Sequence, residues 1–221
     1  MTRDTREAMT GSEALAAVCA RRIVPVVVLE ELATALPLAR ALREGGLPVA
    51  EVTFRTAAAA DAVRALAAEG DILVGAGTVV RAEQVDVAVA AGARYIVTPG
   101  LSARVIERCR DLSVPVIPGV ATATEVMAAL DLGCDLLKFF PAGTSGGVAA
   151  IRALGGPFPD VRFVPTGGIT AANAADYLAV GSVVAVGGSW MVAPGLIAAG
   201  DFAGIARLTA EAVALAAPVS A

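Results

Sequence analysis

Short β-branched runs alternate with Ala/Leu-rich stretches of helical period along almost the whole chain, and this alternation constrains the fold more than any other feature. The runs predict strands near 23–29, 49–54, 72–75, 95–97, 116–117, 136–139, 161–164 and 183–186. Helices are predicted near 31–44, 57–69, 82–91, 102–112, 122–132, 146–154, 171–180 and 201–216, with an extra one near 12–21 ahead of the first strand. Ser102, Thr122 and Thr170 each precede an Ala-rich run as candidate N-caps. Glu125 stands three residues after Thr122, the spacing of a capping box, and Asp201 is placed to cap the last helix.

Eight βα units with nearly continuous apolar strands require a parallel sheet whose faces are covered by helices. The number eight favours closure, so the expected fold is α/β, a (β/α)8 TIM barrel with an extra N-terminal helix. A doubly wound open sheet is the alternative. At 221 residues, without a Pro/Ser linker or a low-complexity tract, residues 1–221 read as one domain. Hydrophobic residues make up 57% of the chain and aromatics 4%, so its core must be aliphatic, as barrel layers are.

A formal net charge of -4 gives no basic field for a polyanion, which excludes nucleic acid as an expected partner. The N-terminus mixes acids with arginines and lacks an apolar h-region, and the most apolar stretches are short or broken by Gly and Pro. Neither export nor a membrane span is expected, and the protein reads as cytoplasmic. Cys19, Cys109 and Cys134 are odd in number and form no CxxC pair, so neither a disulfide framework nor a metal site is expected. Histidine is missing altogether, which removes Ser-His and Cys-His nucleophile pairs and HExxH metal sites.

One lysine, Lys138, and sixteen arginines make up the 17 basic side chains. Lys138 stands in DLLKFFPA, flanked by Leu136, Leu137, Phe139 and Phe140. Burial among such neighbours disfavours an ammonium relative to the free amine. A free amine attacks a ketone, loses water and leaves a protonated imine that draws electrons from an adjacent carbon-carbon bond. Arginine cannot do this, because it does not deprotonate. The competing reading is a lysine that snorkels from a strand end, in a chain whose codon usage has replaced its other lysines.

VAEVTFRT places Glu51, Thr53 and Arg55 at alternate positions, so a strand projects all three toward one face, although a plain surface strand has the same pattern. Without histidine, Glu51 is the leading acid/base candidate. Arg55 offers a fork for a carboxylate, and VGAGT adds a tight turn ending in the Thr78 hydroxyl. Gly-Gly pairs occur in PTGGIT and VGGSW, after the seventh and eighth predicted strands, where barrels frequently bind phosphate. Thr166, Gly167, Gly168, Gly188 and Ser189 are the candidates there, with simple turn-making glycines as the alternative.

EVTFRT, VGAGTV, TPGL, PVIPGV, LKFFPA, GPFPDVRFVPTGGI and VGGSW, in that order from about Ile23 to the final helix, resemble the 2-keto-3-deoxy-6-phosphogluconate (KDPG) aldolases. The resemblance implies a Schiff-base lyase without cofactor or metal that yields pyruvate and glyceraldehyde 3-phosphate from a phosphorylated keto-deoxy sugar acid. It implies Lys138 as the imine-forming residue, Glu51 as the base, and Arg55 with Thr78 on the pyruvyl carboxylate. Gly167, Gly168 and Ser189 would bind the phosphate. Cleavage of 4-hydroxy-2-oxoglutarate and a homotrimeric assembly are further implications. Glu30 and Thr166 depart from what the resemblance leads one to expect of enzymes for the galactonate epimer, so the gluconate substrate is favoured. A phosphosugar epimerase or a non-catalytic sugar-phosphate binding module on the same barrel are the rivals.

Overall fold

The computed structural model describes residues 10–217. Among the described residues nine parallel strands carry the architecture: β1 (Ile23–Val27), β2 (Val49–Thr53), β3 (Leu73–Gly77), β4 (Ile96–Val97), β5 (Val116–Ile117), β6 (Gly119–Val120), β7 (Leu136–Phe139), β8 (Arg162–Pro165) and β9 (Val186–Gly188). They form a six-stranded sheet, in the order β5-β4-β3-β2-β1-β9, and a three-stranded sheet, β6-β7-β8. Isolated parallel bridges pair Phe163 with Val183 and Thr166 with Gly187, beside β8 and β9. The fold is therefore α/β with parallel strands.

Helices connect and cover these strands: α1 (Gly11–Ala20), α2 (Ala35–Glu44), α3 (Ala59–Glu69), α4 (Ala82–Ala90), α5 (Ala103–Asp111), α6 (Ala123–Asp131), α7 (Gly147–Gly155), α8 (Ala174–Leu178), α9 (Pro194–Ala198) and α10 (Phe202–Ala216). Among the described residues no helix is long and apolar enough to cross a membrane. Strands and helices share one cluster of mostly aliphatic core residues, among them Val24, Val52, Val74, Leu137 and Val186, each at most 2% exposed. Every residue of β2 is buried, so its alternation of polar and apolar residues is not that of a surface strand.

Local chemistry explains the element ends. Thr122 and Glu125 form the expected capping box at α6, and Ser102 and Asp201 cap α5 and α10. A second box, Thr10 with Glu13, starts α1. Thr170 does not cap α8: Asn173 is the residue ahead of that helix, and its Oδ1 accepts from the Thr170 N–H at 2.8 Å. Pro118 has no N–H to give a ladder, and it separates β5 from β6 while its carbonyl accepts from Lys138 N–H at 2.8 Å. The final strand lies at 186–188 and not at 183–186, because Ile23, Val24 and Pro25 of β1 pair with Val186, Gly187 and Gly188. Val183 makes only a bridge.

Candidate active site

Glu51 sits in the middle of β2 and Lys138 in β7, in the two different sheets of the strand assembly. Their side chains meet inside it, where Nζ of Lys138 donates to Oε1 of Glu51 at 3.3 Å. Both are almost fully enclosed, with side-chain exposures of 5% and 4%. The contact places a carboxylate, a group able to accept and return a proton, directly against the only amine side chain of the chain. The lysine does not snorkel to solvent.

Three glycine and aromatic placements make room for the pair. A Cβ on Gly77 would collide with the Glu51 carboxylate, so the glycine at the end of β3 admits that group. A Cβ on Gly75 would collide with the ring of Tyr95, which fills the interior there and donates its hydroxyl to Ala50 O at 2.9 Å. Burial, and secondarily the charge of Glu51, push the Tyr95 phenol well above its ordinary range, so it stays a donor. Glu51, Lys138, Tyr95 and Thr166 share the lining of a cavity of about 10 Å³.

Thr53 is buried and donates its hydroxyl to Val27 O at 3.0 Å. The strand ends at Thr53, so Arg55 belongs to the following turn and not to the strand, and it is exposed. Its Nε nonetheless donates to Thr53 Oγ1 at 3.3 Å, which keeps the guanidinium at the loop end of β2. Thr78 follows Gly77, the residue in register with Thr53, and is held at φ 56°, a region β-branched residues rarely enter. Arg55 and Thr78 thus stand at the ends of neighbouring strands.

The two Gly-Gly pairs also come together. Thr166 is buried and bridges Gly187, where a Cβ would strike the threonine hydroxyl. Gly167 and Gly168 have φ of 94° and 77°, conformations open to glycine. The loop after β7 packs on them, with Ala142 N–H donating to Thr166 O at 2.8 Å and Gly143 N–H to Gly167 O at 2.9 Å. Gly188 ends β9 under the Trp190 ring, and Ser189 is exposed beyond it. α8 begins only at Ala174, so Gly167 and Gly168 lie in a loop and not at a helix N-terminus.

Sequence reasoning missed Tyr95 and Thr98, and took Phe140 only as an apolar neighbour of Lys138. Thr98 is buried, donates to Gly100 O at 2.6 Å and accepts from Gly119 N–H at 3.2 Å, joining the ends of β4 and β6. The ring of Phe140 lies 5.1 Å from Lys138 Nζ. Only the last of these left a signal, since Phe140 is two residues from the lysine in the chain.

Comparison with known proteins extends this geometry. Residues 16–208 match the family model for KDPG and KHG aldolase. The chain is 51% identical over 191 residues to the 2-dehydro-3-deoxy-phosphogluconate aldolase of Treponema pallidum strain Nichols, covering 86% of this chain and 91% of that one. It is 46% identical to the KHG/KDPG aldolase of Escherichia coli strain K12, covering 86% and 90% of the two chains. The crystal structure of KDPG aldolase from Legionella pneumophila, with pyruvate captured at low pH as a covalent carbinolamine intermediate, superposes with a TM-score of 0.87 at 41% identity. That superposition covers 89% of this chain and 96% of that one.

Proposed function

We infer the reaction from one premise: the chain belongs to the KDPG and KHG aldolase family, whose model matches residues 16–208. It is a metal-independent, class I carbon-carbon lyase. We assign the covalent bond to Lys138, and the observation that carries this is its buried contact of 3.3 Å with Glu51. The substrate in this reading is KDPG, with 4-hydroxy-2-oxoglutarate as a second, in keeping with the names of the relatives from T. pallidum and E. coli.

Lys138, as the free amine, attacks the C2 ketone, whose oxygen leaves as water with a proton from the Glu51 carboxyl, so that a protonated imine remains. Glu51, as carboxylate, takes the C4 hydroxyl proton, directly or through a water. The C3–C4 bond breaks, its electrons pass to the imine nitrogen as an enamine, and glyceraldehyde 3-phosphate leaves. The proton on Glu51 then goes to C3, and water releases pyruvate and the amine. Arg55 and Thr78 hold the pyruvyl carboxylate, and Thr166, Gly167, Gly168, Gly188 and Ser189 hold the phosphate. The Thr166 hydroxyl beside the Lys138 cavity, together with Glu30, favours the gluconate over the galactonate epimer.

We take the strands as one closed (β/α)8 barrel with α1 added, spanning a single domain of residues 1–221. Supporting this, β5 and β6 are consecutive across Pro118, and the bridges of Phe163 and Thr166 span the gap between β8 and β9. We also take the enzyme to be a cytoplasmic homotrimer, which a mass measurement in solution checks.

Borohydride with pyruvate tests the mechanism. A reduced adduct mapped to Lys138 is expected, and its absence favours an epimerase on a similar barrel. Pyruvate release measured from each epimeric substrate decides between gluconate and galactonate.

A further inference from the structure

Phe140 follows β7 and stands half-buried beside the amine. At 5.1 Å from the ring centroid, Lys138 Nζ is within the range of about 6 Å at which an aromatic face attracts a cation. The ring is also held from behind. A Cβ on Gly167 would lie 3.2 Å from Cε2 and 3.3 Å from Cδ2 of Phe140, so the glycine leaves the ring its place. The Phe140 N–H donates to Val120 O at 3.1 Å and fixes the backbone at its base. The ring is thereby set between the nitrogen and the loop after β8.

We propose that Phe140 is a positioning residue for the Lys138 nitrogen, whose ring face promotes the loss of water from the carbinolamine. The inference rests on the aldolase reading above. Attack of the amine on the ketone leaves a carbinolamine with a neutral nitrogen. In the next step the nitrogen lone pair forms the C=N bond, the C–O bond breaks, and the oxygen leaves as water with a proton from the Glu51 carboxyl. The nitrogen passes from neutral to cationic, and the ring attracts only the second form. Glu51, which becomes a carboxylate in that step, and Phe140 then flank the new cation.

Borohydride reduces the imine and not the carbinolamine, so trapping with pyruvate reads the step directly. Phe140→Leu is expected to lower the limiting trapping rate about three- to tenfold, the scale of one cation–π contact, with the half-saturating pyruvate concentration unchanged. Phe140→Tyr, which keeps the ring, restores it. Fluorinated phenylalanines at 140 keep the shape and weaken the face, so the limiting rate should fall stepwise with fluorine number even if the leucine variant folds poorly. A rate indifferent to fluorination, or equal in Phe140→Leu and the wild type, overturns the proposal. An unmodified enzyme that gives no adduct at all overturns instead the Schiff-base reading beneath it.

Discussion

The Lys138 nitrogen and the Glu51 carboxylate lie 3.3 Å apart, and neither side chain is more than 5% exposed. Each ion is desolvated, so each depends on the other: the pair is tolerated inside the protein because its charges cancel at hydrogen-bonding distance.

Removing one member leaves a buried charge without its counterpart. Lys138→Met is expected to lower unfolding stability by about 3–5 kcal/mol, and Glu51→Gln added to it to recover most of that loss. Urea titrations of the two variants check this. A double variant as unstable as Lys138→Met would show that the loss is one of packing.

Function separates the same two residues differently. Lys138→Arg keeps a cation and is expected to fold, yet to lose both the borohydride adduct and cleavage. Glu51→Gln is expected to slow formation of the adduct without abolishing it, while cleavage falls about 10²- to 10⁴-fold, the usual share of a general acid and base.

Gly77→Ala tests whether the interior leaves the carboxylate any slack. The added Cβ would collide with Glu51, so turnover should fall at least tenfold, as rough effects of misplaced catalytic groups go. Gly181→Ala has no neighbour within 4 Å and serves as the control, with turnover unchanged.

The capping box at α6 carries a pH dependence. The Ala121 N–H, opposed by burial and aided to a lesser degree by the Thr122 hydroxyl and N–H, holds the Glu125 carboxyl below the usual carboxylate range. A depressed value in the folded state means that stability is present above the ordinary carboxylate pKa and lost as acid titrates the folded group. Glu125→Ala should therefore cost about 0.5–1 kcal/mol at neutral pH, with the difference from wild type vanishing on acidification. Thermal melts from pH 7 down to about pH 3 measure it.

Burial, and then the charge of Cys134, push the Cys109 thiol up to about 12. At neutral pH its thiolate is scarcer than that of an ordinary cysteine by on the order of a thousandfold. Mass spectrometry after brief iodoacetamide treatment should find Cys109 unmodified in the native protein and modified in urea.

Much of this architecture was legible in the chain because its signals are local. Period and turn residues located the strands and most helices, and the Thr122–Glu125 spacing predicted a cap that forms. The flanking Leu and Phe residues announced that Lys138 is enclosed. What was lost depends on pairing across the chain. The position of β9 follows from β1, which takes Val186–Gly188 as its partner although Gly187 and Gly188 are poor strand formers. At α8 the Asn173 side chain accepts from the Thr170 N–H, and the helix itself starts only at Ala174. The fit of Tyr95 against Gly75, and of Phe140 against Gly167, joins residues 20 or more positions apart, and no periodicity reports such a meeting.

The chain's only ε-amine is turned inward, and every other side-chain cation is a guanidinium. Acylating agents, reducing sugars and amine-directed crosslinkers therefore find no lysine on the outside to mark. To touch an amine side chain here they must reach the interior beside Glu51, so whatever covers that one place shields the whole protein's lysine complement at once.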